Sequence, residues 1–575
     1  MTQKHSRISA KEFLAQLSRL RLEFTPSAAA KKRRIIEALR SLTISNFKLL
    51  FDYHELLCFM QAYPDDARIE GLADDELGRF GQRVKQFRHN HPKDSALDDT
   101  AMVNTAIHYS YSLHMARWLL RHFPDDVEID WNAYNEKEGD PVAGMLPLLA
   151  LHMENDGIDD EDLGTSDWVA KATAGRNTLR WLICELDRLQ MPDDIRHYMY
   201  DNAELQLCWQ LGESKCARTL AKLPDREIYY QQEAIRKHKI DLKKSVQEEA
   251  PNLKLVTREQ GREIIETQIR ALLPRHRELY PATFANPDEV YMTSPGRGLE
   301  IYIIGMEAEH RMPLESNYGA LLIKNGVPIG YGISVIFFDR CEIAINIFDS
   351  FRSGEASLIF EHFVKIFHHH FGAGNFIMRR WQVGYENEEG IQSGSYWFYY
   401  KLGFRSIDPQ VDALARAEWR KIKRDGRRGP ALTDKYRSDE KTLKKLATSD
   451  MHWSAEPGRG KHYKELSVIK LGYAVTDAVA AEFEGDRSRA FEAMLQHAQA
   501  ALGITYRDWT PLEKLQLERF SAILFLIKDL ERWNDSEKNA MVDIIKAKSA
   551  KTEKGYIGLL QAHHRFKEAL GKIGF

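Results

Sequence analysis

Residues 319–338 of this chain read GALLIKNGVPIGYGISVIFF. Within this stretch, two runs rich in β-branched and aromatic residues flank the pair Asn325-Gly326. An Asn-Gly pair between two such runs is a strong signal for a β-hairpin, because both residues accept the positive φ angles of its tight turn. The sequence therefore predicts two antiparallel strands joined at residues 325 and 326.

Other strand-like and helical patterns surround this hairpin. Residues 299–304 (LEIYII) precede it and residues 341–348 (CEIAINIF) follow it, which predicts an antiparallel meander. Helical and strand patterns then alternate: helix at 354–371, strand at 376–383, helix at 393–402 and a short strand beginning near Gly403-Phe404-Arg405. This order predicts an α+β domain in which a central mixed sheet packs with helices.

The sequence on either side of this domain has helical periodicity. A capping box at Ser9 and Glu12 opens the first helical pattern, and Thr510 followed by Pro511 and Glu513 opens a clear one near the C-terminus. A chain of 575 residues is also too long for one hydrophobic core. We therefore expect an all-helical domain at 1–250 with an acidic connection near 124–166, the α+β domain at 251–410, and an all-helical region at 411–575.

The composition excludes several classes of protein. With 43% hydrophobic and 29% charged residues the chain is typical of globular proteins, and its net charge of −3 creates no global field that attracts nucleic acid or acidic membranes. The five cysteines form no CxxC pair, which favours reduced thiols over disulfides or a zinc site. The N-terminus lacks the apolar run of a signal peptide, and no window holds about 20 uninterrupted apolar residues. We expect a cytoplasmic protein that does not associate with membranes.

Four segments of the α+β region resemble the GNAT superfamily of acyltransferases. They are the hairpin at 319–338, the strand EIAINIF at 342–348, the turn FRSGEAS at 351–357 and the segment YYKLGFR at 399–405. The resemblance covers about 150 of the 575 residues. It implies a GNAT-like fold for residues 251–410 and direct transfer of an acyl group from acetyl-coenzyme A, or another acyl-coenzyme A, to an amine acceptor that is a small molecule or a peptide.

The turn at 351–357 is the expected donor site. A strand ends there and a helix begins, so free backbone amides and the positive end of the helix dipole favour a pyrophosphate. The resemblance places the pyrophosphate of coenzyme A in this turn, with Arg352 at the first motif position and with Glu355 and Ser357 where the family has glycines. The expected contacts comprise Arg352, Ser353, Gly354, Glu355, Ala356 and Ser357 in the turn, the backbone of Ile347 and Phe348 for the pantetheine arm or the thioester carbonyl, and Gln392 where the family often has Asn.

Two side chains are expected to move protons. Tyr399 matches the tyrosine of the family motif Tyr-x-Lys-Leu-Gly-Phe, which implies that it protonates the departing thiolate, and a phenol of pKa about 10 stays protonated at neutral pH. The resemblance also implies a Glu on the strand before the turn as general base, and Glu342 occupies that strand. The alternatives are that Tyr399 only packs among its aromatic neighbours, and that Glu342 is a solvated carboxylate beside Arg340.

Other motifs are weaker indicators. We expect no metal site, because consecutive histidines at 368–370 point in different directions on a helix and Glu307-x-x-His310 has no second copy. The sequence Pro295-Gly-Arg-Gly298 predicts a turn, since the phosphate-loop spacing is absent. Basic runs at 31–34 and 421–428 are not interleaved with aromatic residues in the sequence, which favours solvated surfaces.

Two further functions stay open from the sequence alone. The same fold with an aminoacyl-tRNA donor would account for the altered glycine positions of the turn and for the basic run at 421–428. A non-catalytic scaffold whose helical flanks bind a protein partner would account for Glu355 in the turn and for the large share of helix outside the α+β domain.

Overall fold

The computed structural model describes residues 9–160, 163–233, 235, 240–352, 355–425, 436–456 and 463–574. The chain divides into two compact units. Unit 1 comprises Met1–Ala234, Glu266–Thr283 and Lys324–Pro328, and unit 2 comprises Ile235–Ile265, Phe284–Ile323 and Ile329–Phe575. The expected α+β class is confirmed, because many helices accompany a large mixed sheet. The boundaries expected at 250 and 410 stay predictions. Within the described ranges, no helix combines the length and the apolar character needed to traverse a bilayer.

Unit 1 consists of helices and one small sheet. Its N-terminal helices are α1 (Ala10–Leu20), α2 (Pro26–Arg40), α3 (Phe47–Ala62), α4 (Ala67–Gly78), α5 (Phe80–Asn90), α6 (Leu113–His122), α7 (Trp131–Asn135), α8 (Leu146–Leu149), α9 (Asn155–Ile158), α10 (Thr165–Ala172), α11 (Thr178–Arg188) and α12 (Asp193–Asn202). Ser9 caps α1 through the predicted capping box with Glu12.

The expectation that residues 1–250 are all helical is wrong in one respect. Strands β1 (Ala106–Tyr109), β2 (Val127–Ile129) and β3 (Leu207–Gln210) form a sheet in which β3 is the central strand and both pairs are antiparallel. Strands of three or four residues show too few alternations to be recognised by their period, and β3 lies about 80 residues after β2, a separation no local pattern reveals.

Unit 2 is built around a sheet of nine strands. In chain order they are β4 (Lys254–Leu255), β5 (Ala285–Gly296), β6 (Leu299–Met306), β7 (Ser316–Lys324), β8 (Val327–Phe337), β9 (Arg340–Ile347), β10 (Asn375–Met378), β11 (Arg405–Ser406) and β12 (Met451–Ser454). Their order across the sheet is β11-β12-β10-β9-β8-β7-β6-β5-β4. Strand β10 is parallel to β9 and antiparallel to β12, which is antiparallel to β11.

Two expectations about these strands need correction. Strand β12 lies in the region expected to be all helical, yet it inserts between β10 and β11. The strand expected at 376–383 ends at Met378, and Arg380–Val383 forms a 3-10 turn. Trp381 and Val383 are residue types that are common in strands, so the sequence did not show where β10 ends. The backbone conformation alone distinguishes the strand from the 3-10 turn.

The remaining helices follow in chain order. They are α13 (Leu242–Ser245), α14 (Arg258–Leu272), α15 (Tyr280–Thr283), α16 (Ala356–Phe371), α17 (Glu388–Ser393), α18 (Ser395–Leu402), α19 (Pro409–Asp425), α20 (Glu440–Leu446), α21 (Val468–Phe483), α22 (Arg487–Leu502), α23 (Pro511–Phe525), α24 (Asp535–Lys548), α25 (Lys554–Ala562) and α26 (His564–Gly574). Helix α16 connects β9 to the parallel strand β10, and its Phe360, Phe363 and Phe367 are buried.

The predicted turn at Asn325-Gly326 is confirmed, with φ of 49° and 79° at the two residues. It belongs to unit 1, where the Asn325 side-chain amide donates to the carbonyl oxygens of Ala62 (2.9 Å) and Tyr229 (3.1 Å). Its oxygen accepts from the Tyr229 amide at 2.8 Å. Gly326 is required because an added Cβ would lie 2.7 Å from the Leu223 carbonyl oxygen.

A fully buried ionic cluster holds the C-terminal helices of unit 2 to its sheet. Arg311 lies 3.2 Å from Glu289 of β5 and 3.8 Å from Glu553, and Lys548 at the end of α24 contacts Glu553. None of these four side chains is exposed to solvent. The Glu553 amide also donates to Glu289 at 2.6 Å, and Tyr318 donates to the same carboxylate at 2.9 Å.

The stability of the protein should depend on the protonation of Glu289. Burial raises its pKa to about 7, although Arg311 opposes the rise. The native carboxyl therefore binds a proton more tightly than the unfolded one, and the resulting stabilisation is present at low pH and lost as the pH rises through about 7. Relative to Glu289→Gln, the free energy of unfolding of the wild type should fall by on the order of 3 kcal/mol between about pH 5 and pH 8.

Urea unfolding followed by tryptophan fluorescence at several pH values measures this difference. The exposed Glu309→Gln in the same unit is the matched control and should keep the wild-type pH profile. Parallel profiles for the wild type and Glu289→Gln would show that Glu289 does not titrate on unfolding.

Candidate functional site

The parallel strands β9 and β10 separate before β9 ends. They are in register only from Arg340 opposite Asn375 to Glu342 opposite Ile377, whereas β9 continues to Ile347. Because β10 leaves the sheet direction after Met378, the second half of β9 faces a gap. Ligands of open α/β sheets commonly bind at the carboxyl ends of such strands. We call this opening the β9–β10 gap.

The backbone of Ile347 faces this gap. The Phe348 amide donates to the Ile329 carbonyl at 2.9 Å, so Phe348 and, by alternation, Asn346 direct their backbone groups to β8. Ile345 and Ile347 direct their backbone amide and carbonyl groups to the opposite side, where β10 has ended. The expectation that both the Ile347 and Phe348 amides hold a ligand is therefore wrong for Phe348, and Ile347 keeps that geometry.

Arg352 closes the end of the gap. Its Nε donates to the Ile347 carbonyl at 2.9 Å, one guanidinium nitrogen lies 2.6 Å from Asp349, and another contacts Glu389 of α17. The side chain is 37% exposed. An incoming phosphate would therefore meet a guanidinium that two carboxylates already neutralise, and it would have to displace at least one of them.

Helix α16 begins without a side-chain cap. Glu355 occupies the N-cap position but makes no capping hydrogen bond, so the amides of Ala356 and Ser357 in the first turn have no intrahelical acceptor. The buried Glu355 carboxylate instead lies 3.6 Å from Arg297. This pairing offsets the repulsion that its charge would exert on a phosphate. Ser353 and Gly354, two of the expected donor contacts, lie outside the described residues.

The partner of Glu355 comes from the turn between β5 and β6. Gly296, Arg297 and Gly298 have φ of 94°, 55° and 72°, which confirms that Pro295-Gly-Arg-Gly298 is a turn. Arg297, with its positive φ, lies at the centre of this turn, and its side chain lies beside the start of α16. Nothing in the local sequence indicates this role, because Arg297 and Glu355 are 58 positions apart.

Glu342 is bound to an arginine rather than to solvent. Arg379, just after β10, donates through Nε to Glu342 at 2.7 Å and also contacts Asp450 at 2.9 Å and Glu465 at 2.6 Å. Glu342 is 23% exposed. Burial raises its pKa, and Arg379 opposes that rise. The alternative of a solvated carboxylate at the end of the strand is therefore wrong.

The pKa values of two carboxyl groups in this network are shifted in opposite directions. Burial raises the pKa of Glu465, but hydrogen bonds and charges from Arg379 and Arg340 outweigh it and hold the pKa below its usual range. Glu342 has its pKa raised by burial. Environments that separate the pKa values of neighbouring carboxyl groups assign them different roles, and Glu342 is the better proton acceptor of the two.

Tyr399 lies in an aromatic pocket under α16. Its ring centre is 5.4 Å from that of Phe360 and 6.0 Å from that of Phe404, and the side chain is only 5% exposed. Burial raises its pKa well above the usual range, so the phenol stays protonated. In the part of the chain that the structure describes, we find no hydrogen-bond partner for its hydroxyl group. Both a packing role and a proton-donor role are compatible with this position.

The sheet separates the two expected catalytic residues. Gly332 lies opposite Ile345, and a Cβ on Gly332 would be 2.6 Å from the Phe363 ring of α16, so this face of the sheet packs on α16. Tyr399 packs on the same helix. Glu342 alternates with the α16-facing residues of β9 and therefore lies on the other face. The structure places the two on opposite faces of the sheet, and the β9–β10 gap begins where the pairing of Glu342 with Ile377 ends.

Gln392 lies on the exposed surface of α17. Its side-chain amide turns to Glu388 at 3.4 Å and not toward the gap. The neighbouring Asn387 caps α17 instead, accepting from the Gly390 amide at 3.2 Å, and donates to the Trp381 carbonyl at 3.0 Å. The structure does not bring Gln392 to the other expected donor contacts.

Comparison with known proteins identifies no relative: no family model, no curated protein and no solved structure matches this chain. The chemistry of the site is therefore inferred from its geometry. Sequence reasoning missed three of its residues, Arg297, Arg379 and Glu389, each of which pairs with a residue that was predicted. The sequence offers one signal for Arg379, because this charged residue directly follows the apolar residues 376–378 of a predicted strand.

Arg379→Gln should both destabilise the protein and shift the titration of Glu342. Without the guanidinium, Glu342 and Glu465 lose their common cation, so unfolding should become easier by about 2 kcal/mol, between the values for exposed and buried ion pairs. The pKa of Glu342 should rise further, which carboxyl-selective NMR titration detects. The control is Arg416→Gln, whose side chain is 63% exposed and pairs with Asp412 in the same helix. Equal losses in both variants would contradict the role of Arg379.

Proposed function

We propose that this protein is an N-acyltransferase that moves an acyl group from acyl-coenzyme A to an amine in the β9–β10 gap. The observation that carries the proposal is the early end of the β9–β10 pairing beside a helix start whose N-cap residue, Glu355, makes no side-chain capping hydrogen bond. A ligand with a thioester and phosphates fits both features, because it needs backbone hydrogen bonds at one end and anion-binding amides at the other.

The donor would lie on the α16 side of the sheet. Amides of Ala356 and Ser357 at the start of the helix would receive the pyrophosphate, helped by the helix dipole. Arg352 would exchange a carboxylate partner for a phosphate, and the Ile347 amide, which points away from β8, would bind the pantetheine arm or the thioester carbonyl. The ion pair of Glu355 with Arg297 supports this arrangement, because it compensates the only charge of unfavourable sign in the described part of the turn next to those amides.

The acceptor would approach from the opposite face. On that face, half-exposed side chains of β8 and β9 surround Glu342, including Tyr331, Ala344 and Asn346. The Asn346 side-chain amide lies 3.4 Å from the Tyr331 hydroxyl, so both groups can turn toward a polar acceptor. This surface offers apolar area with a few polar groups, which suits a small amine or a peptide end.

The reaction would be direct attack of the amine on the thioester carbon. The new C–N bond forms as the C–S bond breaks, Glu342 takes a proton from the amine, directly or through water, and Tyr399 gives a proton to the departing sulfur. Burial raises the pKa of Tyr399, and burial in the same pocket would also raise the pKa of the coenzyme A thiol, which favours protonation of the departing sulfur. After the products leave, Glu342 releases its proton to water and the phenolate of Tyr399 takes one from water, so the cycle consumes no net proton.

Isothermal titration calorimetry with acetyl-coenzyme A, longer acyl-coenzyme A species and free coenzyme A tests the donor. We expect binding of at least one of them, and Arg352→Ala should weaken it about tenfold through the loss of a charge-assisted hydrogen bond. The exposed Lys470→Ala in the same unit is the control and should bind like the wild type. The absence of heat with every one of these ligands would refute an acyl-coenzyme A donor and leave the non-catalytic scaffold as the better account.

Tyr399→Phe tests the catalytic acid. The substitution removes one hydroxyl from an aromatic pocket and keeps the ring, so folding and donor binding should be retained. The rate of acyl transfer to a broad set of amines should fall about 100-fold, the size of a typical general-acid contribution. The matched control is Tyr463→Phe, a half-buried tyrosine of unit 2, whose ring stacks on His452. An unchanged rate in Tyr399→Phe would assign Tyr399 to packing alone.

A further inference from the structure

We propose that the exposed basic surface of α19 and α20 is a binding site for RNA. The site comprises Arg416, Arg420, Lys423 and Arg424 on α19 and Lys441, Lys444 and Lys445 on α20, and we call it the basic surface. The inference goes beyond acyl transfer and does not depend on it.

The segment between β11 and β12 differs in charge from the rest of the chain. Residues 409–450 contain 12 Lys or Arg and 7 Asp or Glu, a net charge of +5, while the whole chain carries −3. An excess of cations confined to one segment creates a local field that the low global charge conceals. The run expected at 421–428 is part of this segment, although residues 426–428 lie outside the described ones.

The cations of α19 lie on one stripe. Arg416, Arg420, Lys423 and Arg424 follow one another at the i, i+4, i+7 and i+8 positions of the helix and are all exposed. The acidic residues Asp412 and Glu418 are buried, 9% and 3% exposed, and pair with Arg416 at 2.6 Å and with Lys421 at 2.5 Å. Arg420, Lys423 and Arg424 are the members of the stripe that the helix presents to solvent beyond these two ion pairs.

Aromatic rings lie among these cations in space, although not in the sequence. Lys423 is 5.6 Å from the ring centre of Trp419, and Lys421 is 5.7 Å from that of Tyr436. Both rings are partly exposed, and Trp419 stacks on Trp397 at 5.6 Å. Partly exposed aromatic side chains beside cations form the combination that binds unpaired bases and phosphates together. This arrangement favours a binding surface over a merely solvated one.

Helix α20 extends the surface toward the candidate site. Lys441, Lys444 and Lys445 occupy its i, i+3 and i+4 positions and, with Glu440 and Thr448, line a shallow depression. Glu440 pairs with Lys444 at 2.5 Å, so Lys441 and Lys445 are the lysines of this depression outside that ion pair. The helix packs against both α19 and α17. Helix α17 carries Glu389, which binds Arg352 at the end of the β9–β10 gap. A chain bound along the basic surface would therefore extend toward the mouth of that gap.

RNA suits this surface better than a membrane or duplex DNA does. The apolar side of α19 is occupied by packing on Trp397 and Tyr400, so the helix has no free apolar face to insert into a bilayer. The same packing, with α20 on a further side, keeps α19 from projecting into a major groove, as DNA-reading helices do. An RNA hairpin offers stem phosphates to the cations and unpaired loop bases to Trp419 and Tyr436.

Fluorescence anisotropy with a labelled RNA hairpin tests the proposal on the full chain. We expect binding that weakens as salt rises, because phosphate contacts release counterions. The triple variants Arg420→Gln/Lys423→Gln/Arg424→Gln and Lys441→Gln/Lys444→Gln/Lys445→Gln should each bind at least about tenfold more weakly and lower the salt slope by about 2 to 3. Lys470→Gln/Arg487→Gln/Arg489→Gln, three exposed cations on other helices of unit 2, should bind like the wild type.

Further measurements distinguish RNA from DNA and from a membrane as the partner. A DNA hairpin of the same sequence should bind more weakly than the RNA hairpin, and vesicles of phosphatidylserine should not retain the protein. The proposal is overturned if the wild type does not bind the RNA hairpin at about 50 mM salt, if both triple variants bind like the wild type, or if DNA or vesicles bind better than RNA. RNA binding without any binding of acyl-coenzyme A would support this surface and refute the proposed donor, while the converse would do the opposite.

Discussion

The neutralisation of four buried charges constrains how unit 2 is assembled. Glu289, Arg311, Lys548 and Glu553 are shielded from water, and a buried charge without its partner is far more costly than the pair. Each member comes from a different part of the chain, from β5, the connection after β6, the end of α24 and the residue before α25. The sheet and its C-terminal helices must therefore pack in one register. Strand β9 and the gap beside it lie in the sheet fixed in this way.

The β9–β10 gap divides the chemistry of the candidate site between two faces. Tyr399 and the start of α16 lie on one face, and Glu342 with its arginine network lies on the other. The phenol lies in an apolar pocket and the carboxylate lies in an ionic network, so the sheet keeps two different electrostatic environments apart. The ionic network also includes Asp450 and Glu465, so residues just before and after β12 help to set the state of Glu342.

Local signals in the sequence predicted much of the fold and only part of the site. The turn at Asn325-Gly326 depends on residues that accept positive φ, and the capping box at Thr510 depends on side chains three positions apart, so both could be predicted from the sequence. Strand β12 could not be predicted, because four residues inside a helical region show no distinct period. The ion-pair partners of Glu342, Arg352 and Glu355 could not be predicted either. Each pair joins residues 37 or 58 positions apart, and only the folded chain brings them together.

Unit 1 is not a continuous piece of the chain, and this has a consequence for its biosynthesis. The Tyr111 hydroxyl donates to the Leu273 carbonyl at 2.9 Å, and Asn325 binds the carbonyl of Ala62, so the first 234 residues alone lack partners for these groups. During translation, unit 1 cannot complete its packing until residue 328 has left the ribosome. The nascent chain therefore holds an unfinished unit 1 until this segment has been synthesised, and a chaperone could bind the unfinished unit during that time.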